Sequence, residues 1–341
     1  MVSLSLPNTP AAPTSGLRPV NLKTDLAPLA DLIELAFMDS MDSSGRAAVR
    51  EMRAMSRFGP GLGVLSGMND LVQGIGLGFV YIEDGQLIGN ASIYPAHLPP
   101  GAGPAWIIAN VAVHPNYRGR GIARQLMNAS LAAIRKRAHE RGKTAVALLQ
   151  VEADNLIARR LYDSLGFAEQ GFWTQWRRSP LGRKPAPIEQ GPFITQRRRG
   201  EWRAEFALAQ RLRPPERGGL GWLRPLTPSL FKPSIWRAIN DAFNMRSCER
   251  LIIRTEDERA VRSVLWIERA LAASSVQLVL IVDPDYQGFD DNALIHLAVR
   301  RFGASSALTI EHPAAEAVTN TVLEHYGFRT QRTLLHMRWQ E

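Results

Sequence analysis

Apolar residues along this chain of 341 residues follow two rhythms. Short continuous or alternating runs predict strands, and runs with apolar residues every three or four positions predict amphipathic helices. Leu17 to Leu22 predicts a first strand. A helix follows, opened by the cap-like Thr24-Asp25 and carrying Leu26, Leu29, Leu32, Ile33 and Leu35. Asp42-Ser43-Ser44 predicts the cap of a second helix through Arg57, and Gly59 to Gly67 reads as loop. Leu77 to Ile82 and Gln86 to Tyr94 predict strands joined by a hairpin turn at Glu83-Asp84-Gly85. Ile107 to Val113 is a nearly all-apolar strand. Ile122 to Arg141 predicts a helix with Ile122, Leu126, Ala129 and Ala133 on one face. Thr144 to Val151 is apolar enough to be buried on both faces. Asn155 to Leu165 reads as a short helix broken by Gly166-Phe167, and Ala168 to Arg178 as a strand with Trp173 and Trp176.

Ser179 to Pro192 is rich in proline, glycine and charge and reads as a linker. Beyond it the order repeats. Phe193 to Arg197 predicts a strand, with helices over Glu201 to Leu212 and Ser229 to Phe243. Leu251 to Thr255 and Val261 to Glu268 are strands around Glu256-Asp257-Glu258. Val276 to Val282 is a strand, Asp291 to Phe302 a helix and Ala307 to Ile310 a strand. Ala314 to Tyr326 is a helix closed by Gly327-Phe328, and Gln331 to Trp339 is the last strand. The repeat shows residue by residue. Val113-His114-Pro115-Asn116-Tyr117-Arg118-Gly119 matches Val282-Asp283-Pro284-Asp285-Tyr286-Gln287-Gly288, and Leu165-Gly166-Phe167 matches Tyr326-Gly327-Phe328.

Length and an ordinary apolar share fit a globular protein with two cores. The single cysteine, Cys248, excludes an internal disulfide framework and a Cys-pair metal or redox site. Met1 to Ser15 lacks the basic head and apolar run of a signal peptide, and no run of ~18 apolar residues exists. No membrane partner and a cytoplasmic location are therefore expected. The net charge of +9 is uneven. Lys and Arg crowd residues 101–150, where Glu140 is the one acid, and again residues 181–250. No nucleic-acid motif or basic–aromatic ladder accompanies either cluster, so nucleic acid is not the expected ligand.

The chemistry centres on Val111-Ala112-Val113-His114-Pro115-Asn116-Tyr117-Arg118-Gly119-Arg120-Gly121-Ile122-Ala123. A strand ends, the chain turns, and a glycine-rich bend opens a helix. Such a start offers unpaired N–H groups and the positive end of the dipole to an anion. Gly119 and Gly121 let backbone approach it, and Arg118, Arg120 and Arg124 add charge. The loop is no dinucleotide fingerprint, lacking the third glycine, and no Walker loop, lacking Gly-Lys-Ser/Thr. A basic turn without a ligand is the other reading. The pattern Arg118-x-x-Gly121-x-Ala123 after a Val-x-Val strand resembles the acetyl-CoA pyrophosphate loop of the GCN5-related N-acetyltransferase (GNAT) superfamily. The chain is identified as a tandem-domain member.

That resemblance implies an α/β fold (α+β mixed sheet) used twice, each copy a mixed, mostly antiparallel sheet flanked by helices. A disordered N-terminus (1–15) precedes a catalytic domain at 16–180. A linker at 181–192 leads to a degenerate copy at 193–341. It implies acetyl-CoA as co-substrate, no metal, and a small-molecule or peptide amine as acceptor, attacked directly in a ternary complex; a homodimer stays open. The implied cofactor-binding residues are Val111, Ala112, Val113, Arg118, Gly119, Arg120, Gly121, Ile122, Ala123, Asn155 and Tyr162. A backbone N–H near Val111 is implied to face the thioester oxygen, an oxyanion-type donor. Asn155-x-x-Ala158-x-x-Leu161-Tyr162-x-x-Leu165-Gly166-Phe167 is similar to the GNAT segment whose Asn meets pantetheine and whose Tyr protonates the thiolate. A phenol suits that task because its pKa lies near a thiol's. A capping Asn155 and a packed Tyr162 are the plainer readings.

Many relatives place a carboxylate base on the central strand, where this chain has Asn110. Glu152, Asp154, Asp39 and Asp42 are weaker candidates for the base, and His114 reads as a turn residue. In the second copy Asp290 and Asp291 stand where a pyrophosphate would lie, Glu316 replaces Asn155 and Leu323 replaces Tyr162. That copy is expected to have lost its cofactor site. A non-catalytic acetyl-CoA-binding or regulatory module is the alternative function.

Overall fold

The structure, a computed structural model, describes residues 15–38, 41, 43–58, 76–96, 104–180, 184–188, 190–214, 219–220, 224, 226–234, 236, 241, 245–270 and 275–341. The expected loop at 59–67, the N-terminal tail up to residue 14, and the base candidates Asp39 and Asp42 lie outside the described residues. Two compact units divide the chain: residues 1–96, 104–147 and 340–341, and residues 97–103 and 148–339.

The first unit runs β1 (Gly16–Pro19), α1 (Leu26–Phe37), α2 (Ser43–Phe58), β2 (Phe79–Glu83), β3 (Gln86–Ala96), β4 (Ala105–Val113) and α3 (Ile122–His139). Strands β1 to β4 pair antiparallel in chain order. One face is covered by α1 and α2, whose Leu29, Leu32, Val49 and Met52 pack with Val80 and Ala112. Helix α3 packs at Gly89. A Cβ there would meet Ile122 Cγ2 at 3.0 Å and Leu126 Cδ1 at 3.1 Å, so only glycine lets this helix lie so close. Ile122 and Leu126 are buried, worth about 1.5–3 kcal/mol each, and that packing fixes where the N-terminus of α3 sits. Asp25 occupies the expected N-cap position of α1, but its side chain makes no cap hydrogen bond. Its carboxylate takes both Arg18 guanidinium nitrogens, at 2.6 and 2.8 Å, and the Asn21 N–H at 2.7 Å. The stronger charged partner takes the oxygens that a cap would use.

The boundary between the units falls inside β5 (Val146–Glu152). After it come α4 (Leu156–Asp163), β6 (Ala168–Arg178), β7 (Ile194–Gln196), α5 (Trp202–Leu212) and α6 (Pro228–Phe231). Then follow β8 (Arg246–Arg254), β9 (Val261–Ala270), β10 (Ser275–Val282), α7 (Asp290–Phe302), β11 (Ala307–Pro313), α8 (Ala317–His325) and β12 (Arg329–Gln340). The strand order is β5-β12-β6-β11-β10-β9-β8-β7. The fold is mixed α/β with mostly antiparallel pairs; β10 and β11 are parallel.

This order is not that of two side-by-side repeats. Strand β6, the last of the first repeat, pairs antiparallel with β11 (Trp176 opposite Ile310) and with β12 (Thr174 opposite Thr333). Strand β12, the last of the second, lies between β5 and β6. The two closing strands are exchanged. The stretch expected as a linker is tied down as well: the Arg300 guanidinium donates to the Pro185 carbonyl at 2.5 Å. The helix expected over Ser229 to Phe243 is interrupted. Helix α6 ends at Phe231, and Lys232 turns extended (ψ 129°) because Pro233 disfavours the helical conformation in the residue before it.

Candidate functional site

Strand β4 carries a bulge. Ala109 opposes Ser92 and Ala112 opposes Asn90, so Asn110 and Val111 together face the single residue Ala91. Asn110 has φ +52°, a left-handed conformation that Asn tolerates better than other side chains. An extra residue in one strand leaves backbone groups outside the ladder and re-aims them. The bulge thus lies at the position where the sequence expects a backbone donor, Val111.

Beyond β4 the chain makes one turn of 3₁₀ helix at Pro115–Tyr117, capped by His114, whose Nδ1 accepts from the Asn116 N–H at 3.3 Å. His114 is therefore a turn residue. Gly119 (φ +80°) and Gly121 (φ +75°, the residue before α3) both require the left-handed region, while a Cβ at either would meet nothing within 4 Å. Backbone twist, not crowding, makes them glycine. Both are exposed at the start of an eighteen-residue helix, so unpaired N–H groups and the helix dipole face solvent.

The two arginines are engaged locally. Arg118 Nε donates to the Val113 carbonyl at 3.3 Å. Arg120 pairs with Glu83 at 3.1 Å and lies over the Tyr117 ring at 4.9 Å. Both are exposed, and such pairs exchange readily for a phosphate. Ala112 and Ile122 are buried in the core, so either can reach a ligand only through its backbone; Ala123 is half-buried. Nothing about this loop resists a pyrophosphate: open glycines, a helix start and two exposed guanidinium groups fit one.

Asn155 and Tyr162 lie in the second unit. Asn155 caps α4, its Oδ1 accepting from the Ala158 N–H at 3.1 Å. Tyr162 is 6% exposed and packs beside Phe167. Its hydroxyl makes no hydrogen bond among the described residues. Burial pushes the phenol up to about 12. That widens the gap from a thiol, and it keeps the hydroxyl a neutral donor across the physiological range. Of the acids at the end of β5, Asp154 is exposed and Glu152 half-buried.

The second copy of the loop, Val282 to Asp290, is built differently. Gly288 keeps φ +87°, but Phe289 takes the capping position and α7 begins at once with Asp290. The carboxylates do not stand free at an anion site, as the sequence suggested. Asp290 is fully buried in a two-pronged pair with Arg262 (2.9 and 3.0 Å) and accepts from Ser263 Oγ at 2.6 Å. Asp291, also buried, accepts from Thr319 Oγ1 at 2.8 Å. Glu316 pairs with Arg213 and lies 2.9 Å from His312 Nε2. Burial pushes Glu316 up, but His312 and Arg213 outweigh it and hold the carboxyl at about 2. Leu323 is fully buried. Strands β10 and β11 pair from Ser275 to Leu278.

Three polar residues that no motif marks, Asn90, Ser92 and Tyr94, lie beside the bulge. They alternate along β3, the period-two signal that puts them on one face, and the first two are fully buried. A polar stripe inside an apolar strand was the signal. Among the described residues no group of three or more His, Cys, Asp or Glu side chains gathers in a metal-binding arrangement, and no helix is long and apolar enough to cross a membrane.

Residues 66–167 match the model of the Acetyltransferase (GNAT) family, a segment that holds the bulge, the glycine loop, Asn155 and Tyr162. No curated protein matches the chain. Among solved structures, the fold is similar to a GCN5-related N-acetyltransferase from Sphaerobacter thermophilus (TM-score 0.62, 14% identity, 96% of each chain covered). It is also similar to a tandem GNAT protein from the clavulanic acid biosynthesis pathway (TM-score 0.52, 14% identity, 96% of this chain and 98% of that one). At such identity the likeness is one of fold.

Proposed function

Residues 66–167 belong to the GNAT acetyltransferase family, and from that premise we propose that the chain is an acetyl-CoA-dependent N-acyltransferase acting on a primary amine. The observation that carries this reading is the succession of the Asn110–Val111 bulge and the Gly119–Gly121 loop opening α3. One re-aims backbone donors; the other prepares an anion site. Under this reading the repeat at 16–180 is catalytic, and the repeat at 193–341 is a degenerate copy.

The N–H groups of the loop, with Arg118 and Arg120, hold the pyrophosphate, Arg120 leaving Glu83 to do so. Asn155 meets the pantetheine arm. The Val111 N–H donates to the thioester oxygen as negative charge grows on it, a donor worth about 3–4 kcal/mol when preorganised. The neutral amine attacks the carbonyl carbon, the C–S bond breaks, and the Tyr162 hydroxyl supplies the proton to the sulfur. The ammonium proton leaves to water, with Glu152 or Asp154 as its relay.

Thiol release from acetyl-CoA with a panel of amines tests the reading. The expected result is release that accelerates with at least one primary amine and yields its amide. Tight acetyl-CoA binding without transfer to any amine favours the binding module, which Asn110 in place of a strand carboxylate leaves room for. No binding of acetyl-CoA contradicts both.

A further inference from the structure

A left-handed residue in the middle of a strand must be held there, and the structure shows what holds it. Asn90 Nδ2 donates to the Asn110 carbonyl at 2.8 Å and to Ser92 Oγ at 3.2 Å. Asn110 Nδ2 donates to the Tyr94 hydroxyl at 3.3 Å. The bulge is gripped by its backbone from Asn90 and by its side chain from Tyr94, two residues on one face of β3. Asn90 and Ser92 are fully buried, on the face that carries Val80 and Ala112 under α1 and α2. A buried amide there costs free energy unless its bonds are made, and an apolar residue would pack the strand without that cost. The polar choice needs a reason beyond packing.

We propose that Asn90 and Tyr94 are positioning residues that lock the Asn110–Val111 bulge so that its backbone donor is aimed before acetyl-CoA arrives. This rests on the acetyltransferase reading above and deepens it. Because the clamp acts through the backbone of another residue, its loss removes the polarisation of the thioester and spares the grip on the cofactor. The interaction at stake is stronger in the transition state than in the ground state, so the rate changes and affinity does not.

The test uses full-length protein with acetyl-CoA labelled with carbon-13 at the carbonyl. Infrared difference spectra give the stretching frequency of the bound thioester carbonyl, and calorimetry gives its affinity. The wild type is expected to bind with the carbonyl band shifted to lower frequency than in water. Asn90→Ala is expected to lose most of that shift and about tenfold or more in kcat, the scale of an oxyanion donor moved out of line, with Kd within about twofold. Tyr94→Phe removes one oxygen atom from a half-buried ring, and it keeps the test decisive if Asn90→Ala does not fold. A smaller loss of shift and rate is expected there. Variants that bind acetyl-CoA with the wild-type band and rate overturn the clamp alone. A wild type that does not bind acetyl-CoA overturns the acetyltransferase reading and the clamp with it.

Discussion

The two copies of one loop make the instructive comparison. Val113 to Ile122 and Val282 to Asp290 both leave a strand, make a 3₁₀ turn at Pro-x-Tyr and pass through a left-handed glycine. The first then spends a second glycine and arrives at α3 with exposed backbone and arginines paired only at the surface. The second starts its helix at once and fills the first turn with buried carboxylates paired to Arg262, Ser263 and Thr319. A Cβ on Gly288 would already touch Val318 at 3.3 Å. The same backbone idea leaves a helix start open in one place and serves the fold's own cohesion in the other. What distinguishes them is whether the helix start is left open or bonded from within.

The harshest test of this division removes the second repeat. A chain ending at Pro180 keeps the first loop but strips β6 of both its neighbours, β11 and β12. We expect no cooperative thermal unfolding and no acetyl-CoA binding from it. A folded, active fragment would mean the exchanged strands are dispensable.

Next in size is Tyr162→Phe, expected to lower kcat on the order of 10²–10⁴-fold with acetyl-CoA affinity unchanged. The raised phenol also predicts a sign in alkali. The folded state favours the neutral form, so its stability is intact below about pH 10 and falls as pH rises toward 12. The Phe variant should lose that part of the fall. If kcat barely moves in a folded variant, Tyr162 only packs.

Asp290→Ala sharpens the contrast from the other side. If the second loop is a structural joint, the variant leaves Arg262 buried without its partner and costs about 3 kcal/mol or more, read as a lowered denaturation midpoint. No new acetyl-CoA site should appear. A variant of unchanged stability that binds a second cofactor would make Asp290 a mere blocker.

The smallest effects lie on the first loop's surface. Arg118→Glu and Arg120→Glu should each weaken CoA binding about tenfold, near the value of one charged hydrogen bond, and added salt should mimic them in part. Glu83→Ala frees Arg120 and should tighten CoA by about twofold to fivefold, the scale of an exposed ion pair. Unchanged affinity in all three, measured by titration, would remove the arginines from the site.

Much of this molecule was legible in its sequence. The strand of Ala168 to Arg178 was read to the residue, and the turn, the glycines and the short helix after Asn155 stand where pattern put them. Their causes are local: periodicity, a cap, a backbone sign. The partners of β6 and β12 were not legible, because alternation gives a strand its faces and says nothing of its neighbours. Nor was the bulge, since Asn110 reads as an interruption until Asn90 and Tyr94 are seen to hold it. Asp290 and Asp291 were read as charges facing an anion because sequence shows a carboxylate and not the arginine or hydroxyl folded against it.

If one loop is open to a cofactor and the other is closed, the number of cofactors bound per chain reports it. Isothermal titration of the full-length protein with CoA should return one site per chain, lost in the Arg118→Glu, Arg120→Glu double variant. Two comparable sites, or one that survives that double variant, would contradict the account.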